Sequence, residues 1–224
     1  MSITRVLAFP TGAMVLSAVS MSATPELSIY RGLAFGMSVA RVAQQCGISP
    51  EPRLVDRRPE LIQELMWMPS LAKGTAGDSV QKVLFTFYND RLARIAVSYD
   101  RSRTEGLTAE DLIEAISATY GGAARSAAGT AGSSAGNIDD RILARWEDAD
   151  TSITLFRSKY LSTFGLILLS KHLDALTTVA HAEAILLDER EAPARESARQ
   201  QSQSDDDRVK EEAVRRVNKA AFKP

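Results

Sequence analysis

In the middle of the chain a run of strand-favouring residues turns back on itself. Val80, Val83 and Leu84-Phe85-Thr86-Phe87-Tyr88 lead into Asn89-Asp90, and Leu92, Ile95, Val97 and Tyr99 continue on the far side. β-Branched and aromatic side chains fit a pleated, half-buried surface. Asn and Asp tolerate the positive φ angles that a two-residue turn demands. Two such runs joined by two such residues predict a β-hairpin, and with it an antiparallel sheet.

The rest of the chain arranges itself around that hairpin. Ser38 is a good N-cap for a helix carrying Val39, Val42 and Ala43, which Gly47 ends and Pro50 and Pro52 cannot continue. Leu54–Asp56 reads as a short strand. Leu61–Met68 alternates and stops at Trp67-Met68-Pro69, which favours a strand over a short helix. Leu71–Asp78 reads as a loop. Thr108, with Asp111 three residues on, resembles a capping box, although Asp stands where Glu or Gln is usual. It opens a second helix with Leu112, Ile113, Ala115, Ile116 and Tyr120 on one face, closed by Gly121-Gly122. Residues 121–136 are almost wholly Gly, Ala, Ser and Thr and predict a flexible loop. Strands are expected at Ile142–Trp146, Ser152–Arg157 and Phe164–Leu169. Lys171 starts a third helix with Leu173, Leu176, Val179 or Ala180, Ala184 and Leu187 at three- and four-residue steps. Pro193 is expected to interrupt it, leaving a charged tail that is either a frayed helix or disordered.

Two blocks share one order: helix, tryptophan-bearing strand, then two paired strands. Either the chain contains a structural duplication or the coincidence is one that α+β chains allow. The expected fold is α+β: tandem helix-plus-three-strand blocks forming one sheet-based body. Its parts are a leader at 1–23, blocks at 24–105 and 106–170, a packing helix at 171–192 and a charged tail at 193–224.

The leader reading rests on order. Met1–Arg5 ends in a positive charge, Val6–Val19 is uncharged and apolar, and Ser20-Met21-Ser22-Ala23 supplies small residues before a cleavage point. The alternative is an ordinary buried strand and turn over Ile3–Val19. An exported chain would be periplasmic or secreted, with no membrane span once the leader is removed. The apolar run is short for a bilayer. A formal net charge of -1, with 25% charged residues, gives no field that would draw nucleic acid.

Tests for chemistry return little. His172 and His181 are nine residues apart and point in different directions on a helix. Cys46 is the one cysteine and reads as a small buried apolar residue, with a reactive thiol as the alternative. The glycines at 121, 122, 129, 132 and 136 do not form a phosphate loop after a strand. Asp205-Asp206-Asp207 lacks the spacing of a calcium loop. Trp67 and Trp146 read as core residues, with binding anchors as the alternative. No catalytic, cofactor-binding or metal-ligating residue is assigned, and no cofactor is expected.

Gly36-Met37-Ser38, Val42, Gly47 and Pro50, followed by Phe87-Tyr88-Asn89-Asp90-Arg91-Leu92 through Ile95, carry a family likeness. Over Tyr30–Asp100 the chain resembles small bacterial envelope modules of the BamE-like outer-membrane-assembly group, which share features with β-lactamase inhibitor proteins. As a whole it is similar to exported bacterial proteins of unassigned function. The resemblance implies a non-enzymatic binding or scaffold unit with an envelope protein as partner. The chain departs from the group in lacking a cysteine for lipidation and in its long charged tail, so no lipid anchor is expected. The competing expectations are an exported hydrolase with paired carboxylates in a cleft between the blocks, and a cytoplasmic protein that keeps Met1–Ala23.

Overall fold

A computed structural model describes residues 26–69, 78–125, 141–159, 162–221 and 223. The leader at 1–23, most of the Leu71–Asp78 loop and residues 126–136 of the flexible loop lie outside the described residues.

Two short strands, β1 (Ile29–Tyr30) and β2 (Leu33–Ala34), pair as a separate ribbon. The first block then runs α1 (Val39–Cys46), β3 (Arg53–Asp56), β4 (Ile62–Trp67), β5 (Val80–Tyr88) and β6 (Arg91–Tyr99). The second runs α2 (Ala109–Tyr120), β7 (Ala124–Arg125), β8 (Arg141–Glu147), β9 (Thr151–Arg157) and β10 (Phe164–Ser170). The chain continues directly into α3 (Lys171–Ala221).

All eight block strands form one antiparallel sheet in the order β3-β4-β5-β6-β10-β9-β8-β7. Each block is therefore a helix followed by a four-stranded meander, not a three-stranded one. The extra strands are β3, which is charged and pairs only with β4, and β7, which occupies two residues inside the segment expected to be loop. The blocks meet where β6 and β10 pair, Leu166 opposite Val97 and Leu168 opposite Ile95. Strand order is thus mirrored about the centre of the sheet.

The predicted signals produce the predicted elements. Asn89 and Asp90 adopt φ of 46° and 59° at the hairpin tip. Both also carry tertiary bonds. Asn89 Oδ1 accepts from Leu61 N–H at 2.9 Å, and Asp90 Oδ1 accepts from Val39 N–H at 2.9 Å, at the exposed start of α1. Ser38 caps α1, and Gly47, at φ 65°, closes it. Thr108 and Asp111 make both bonds of the capping box, so Asp serves in place of Glu. A bulge leaves Ala93 unpaired between Phe87↔Leu92 and Thr86↔Arg94. It frees the Leu92 backbone, which donates to Met37 O at 2.8 Å and accepts from Gly36 N at 2.9 Å.

The core lies between the sheet and helices α1 and α2. Val42, Phe85, Phe87, Ile95, Ile153, Leu155 and Leu168 are fully buried there, each worth roughly 1.5–3 kcal/mol over exposure. Strand alternation sends Arg94 and Ile167 to the opposite face, where α3 crosses β5, β6 and β10. Leu173, Ala180 and Ala184 are the buried apolar residues of α3, and Val179 is exposed. Arg94 meets Asp174 at 2.6 Å, His181 Nδ1 meets Asp56 at 2.6 Å, and Arg58 grips Glu191 through two bonds at 3.1 and 2.8 Å.

Pro193 does not end α3. It removes the N–H that would bond the Glu189 carbonyl four residues back; the Arg195 guanidinium spans the proline, donating to the Asp188 carbonyl at 2.9 Å and its carboxylate at 3.1 Å. The helix runs on to Ala221.

Candidate functional site

Two features stand apart from the packed body: a cavity under the β1–β2 ribbon and the free length of α3.

The cavity has a volume of about 490 Å³. The ribbon, the start of β5, the end of β6 with the connection that follows it, one face of α2 and Leu166 of β10 wall it. Leu107, Leu112, Ile116 and Leu166 supply its apolar surface, and Tyr30, Tyr99 and Tyr120 also line it. Tyr120 closes α2 and donates its hydroxyl to Ile29 O at 3.0 Å, which ties the ribbon to the helix. Tyr30 is only 6% exposed and its hydroxyl has no hydrogen-bond partner. Burial pushes the Tyr99 phenol up to about 12 and raises those of Tyr30 and Tyr120 as well. All three are therefore neutral donors at physiological pH.

Two arginines border the same space. Arg31 and Gly32 form the ribbon turn with φ of 51° and 81°. The left-handed conformation costs a residue with a Cβ roughly 1–2 kcal/mol, and it persists where surrounding contacts impose it. Here the Arg31 guanidinium makes a forked pair with Asp78 at 2.6 and 2.9 Å and lies 5.6 Å from the Tyr30 ring centre. The fork holds the Asp78 carboxyl below its ordinary range. Asp78 also accepts from Val80 N at 2.9 Å, so one carboxylate locks the ribbon turn to the start of β5. Arg103 lies on the connection after β6. Among the described residues no aspartate or glutamate lines the cavity itself, and Asp78 sits beside it, paired with Arg31.

The second feature is mechanical. Glu191, held by Arg58, is half-buried, and every residue from 192 to 221 is exposed. At 1.5 Å per residue this arm is roughly 45 Å long. It is laced with short-range pairs such as Arg208–Asp205 at 3.2 Å and Lys210–Asp207 at 3.4 Å. Such pairs contribute only about 0.2–0.5 kcal/mol each. Val209, Val214 and Val217 stand 63%, 59% and 67% exposed.

The other residues singled out in the sequence have ordinary places. Trp146 is buried, its indole N–H donating to Gly121 O at 2.9 Å. Trp67 is half-buried at the end of β4, its indole nitrogen unpaired. His172 is exposed, and His181 faces Asp56. Cys46 is half-buried at the end of α1, and burial pushes its thiol up to about 11. Asp205–Asp207 sit on the arm. Among the described residues no cluster of His, Cys, Asp or Glu is arranged to hold a metal, and no helix is long and apolar enough to cross a membrane. Sequence reasoning misses the cavity because its walls come from segments up to 136 positions apart (Tyr30 to Leu166). The one local cue is the Tyr-Arg-Gly-Leu turn.

Comparison with protein-family models, curated proteins and solved structures finds no match to the chain.

Proposed function

We propose that this protein is an exported, non-enzymatic interaction or scaffold module of the bacterial envelope, and that the α3 arm is the element that meets its protein partner. The observation that carries this reading is the arm itself. A helix of 51 residues lays Lys171–Glu191 along the body and extends Ala192–Ala221 into solvent. Isolated helices draw little stability from propensity and surface pairs, and most helices are held by packing. Covering Val209, Val214 and Val217 would provide that packing. The arm is acidic at 205–207 and basic at Arg215, Arg216 and Lys219. It suits a partner helix with the opposite charge order along its length.

Export is supported by the basic, apolar, small-residue order of residues 1–23. The hydrolase alternative needs two carboxylates facing each other in a cleft; among the described residues none lines the cavity above.

Cross-linking in native cells tests the proposal, comparing the full chain with one ending at Ala192. The same protein should be captured by the full chain and lost from the shortened one, in a fraction where the mature N-terminus lies near Thr24. A capture profile identical for both chains would remove the arm from the account. An intact Met1 in the cytoplasm would remove the envelope.

A further inference from the structure

We infer that the partner of the arm is a second copy of this chain, the two α3 helices running antiparallel so that Leu186 on each body is covered by Val217 of the other's arm. This rests on the reading of the arm as a contact element and names what it contacts. Leu173, Ala180 and Ala184 turn one side of α3 to the sheet. The opposite side carries a second apolar row that faces solvent. Val179, Ile185 and Leu186 are 56%, 48% and 58% exposed, and Ala175 and Ala182 are exposed with them. Ala175, Val179, Ala182 and Leu186 follow one another at alternating four- and three-residue steps. Continued along the helix, the same steps arrive at Val214, Val217 and Ala221, and every position they touch is exposed. A row of that period is the seam of a left-handed coiled coil.

The charges fix direction and register. A parallel pair would set Glu189, Glu196, Asp207 and Lys210 on the seam each against its own copy. An antiparallel pair centred between Gln201 and Ser202 sets Leu186 against Val217, Ala182 against Ala221 and Val214 against the stem of Glu189, with Ile185 against Ala220 beside the seam. It also sets Arg199 against Asp206 and Arg190 against Glu211, each twice by symmetry, and leaves Glu196 with Asp207 as its one like-charge layer. A slip of one heptad either way sets Arg199 or Asp206 against its own copy. Association stabilises a chain by mass action, so below the dissociation constant each body stands on its own core.

Sedimentation equilibrium of the full chain under reducing conditions, up to about 0.5 mM, tests this. A concentration-dependent dimer is expected, and it should be lost from the chain ended at Ala192. Arg199 and Asp206 are exposed, so changing them does not disturb the body. Arg199→Asp and Asp206→Arg each bring like charges together at two places and should weaken the dimer about tenfold. In an equimolar mixture of the two variants, opposite charges meet again at both places, and a mixed dimer of near wild-type affinity should form. In a parallel pair positions 199 and 206 do not meet, and mixing would gain nothing. A full chain that stays monomeric throughout overturns the inference. So does a dimer kept by the chain ended at Ala192, or a mixture no tighter than either variant alone. Failure here is separable from failure of the arm reading. A monomeric full chain that still captures another protein in cells, and loses it when ended at Ala192, ends the self-pairing and keeps the arm.

Discussion

Gly165 stands at the centre of the sheet, directly opposite Phe156 in the β9–β10 register. A Cβ placed on it would lie 2.2, 2.6 and 2.9 Å from three carbons of the Phe156 ring. Carbon atoms in contact sit about 3.5–4.0 Å apart, so Gly165→Ala forces the ring more than 1 Å off its seat. Overpacking of this kind costs about 1–3 kcal/mol. Against it runs a gain of about 0.4–1 kcal/mol, because alanine leaves the unfolded chain less freedom than glycine. The substitution should therefore destabilise by a net ~1–2 kcal/mol. Phe156→Ala removes the ring, and in that background Gly165→Ala should be neutral or stabilising by about 0.5 kcal/mol. Urea unfolding of the four chains closes the cycle, with an expected coupling of about 1–2.5 kcal/mol. If Gly165→Ala has the same effect in both backgrounds, the ring does not rest on the glycine and the packing described for this face is wrong.

Trp146→Phe keeps most of the buried ring but leaves Gly121 O without its indole donor at 2.9 Å; a loss of about 1–3 kcal/mol with an unchanged denaturant slope is expected in urea. Asp78 has a folded-state carboxyl held below its ordinary value by Arg31, so its contribution is present above the unfolded value and is lost as pH falls through the depressed folded one. Acid titration should therefore loosen the ribbon below about pH 4, and Asp78→Asn should remove that limb of the pH–stability curve. Burial pushes the Cys46 thiol from 9.0 to about 11, so at pH 8 it should react with a disulfide reagent about 100-fold more slowly than in the urea-unfolded chain.

What the sequence makes legible here is local chemistry. Ser38, Gly47, Asn89-Asp90 and the Thr108–Asp111 box each act within a few residues of themselves, and each marks the element it delimits. The apolar steps of Leu173, Ala180 and Ala184 likewise mark the face of α3 that meets the sheet. What is not legible depends on distance. The β1–β2 ribbon has two residues per strand, too few to show alternation, and it is held by Tyr120 and Asp78 from far along the chain. The pairing of β6 with β10 joins stretches about seventy residues apart, and no local pattern announces it. Pro193 reads as a stop because proline normally breaks a helix. α3 nevertheless runs through it to Ala221, with an Arg195–Asp188 bridge across the proline that appears only once the helix is built. The cavity collects all these gaps, since the ribbon, the β6 end and α2 must be in place before Tyr30, Arg103 and Ile116 share one space.

The central claim is that residues 193–221 of α3 serve contact with a partner and not the fold of the body. Urea unfolding of the chain ended at Ala192, followed through the near-ultraviolet signal of buried Trp146, tests it most directly. The account predicts the midpoint and slope of the full chain, with far-ultraviolet helicity reduced by the share of the missing arm. A lowered midpoint would contradict it, because the arm would then be part of the body's own stability.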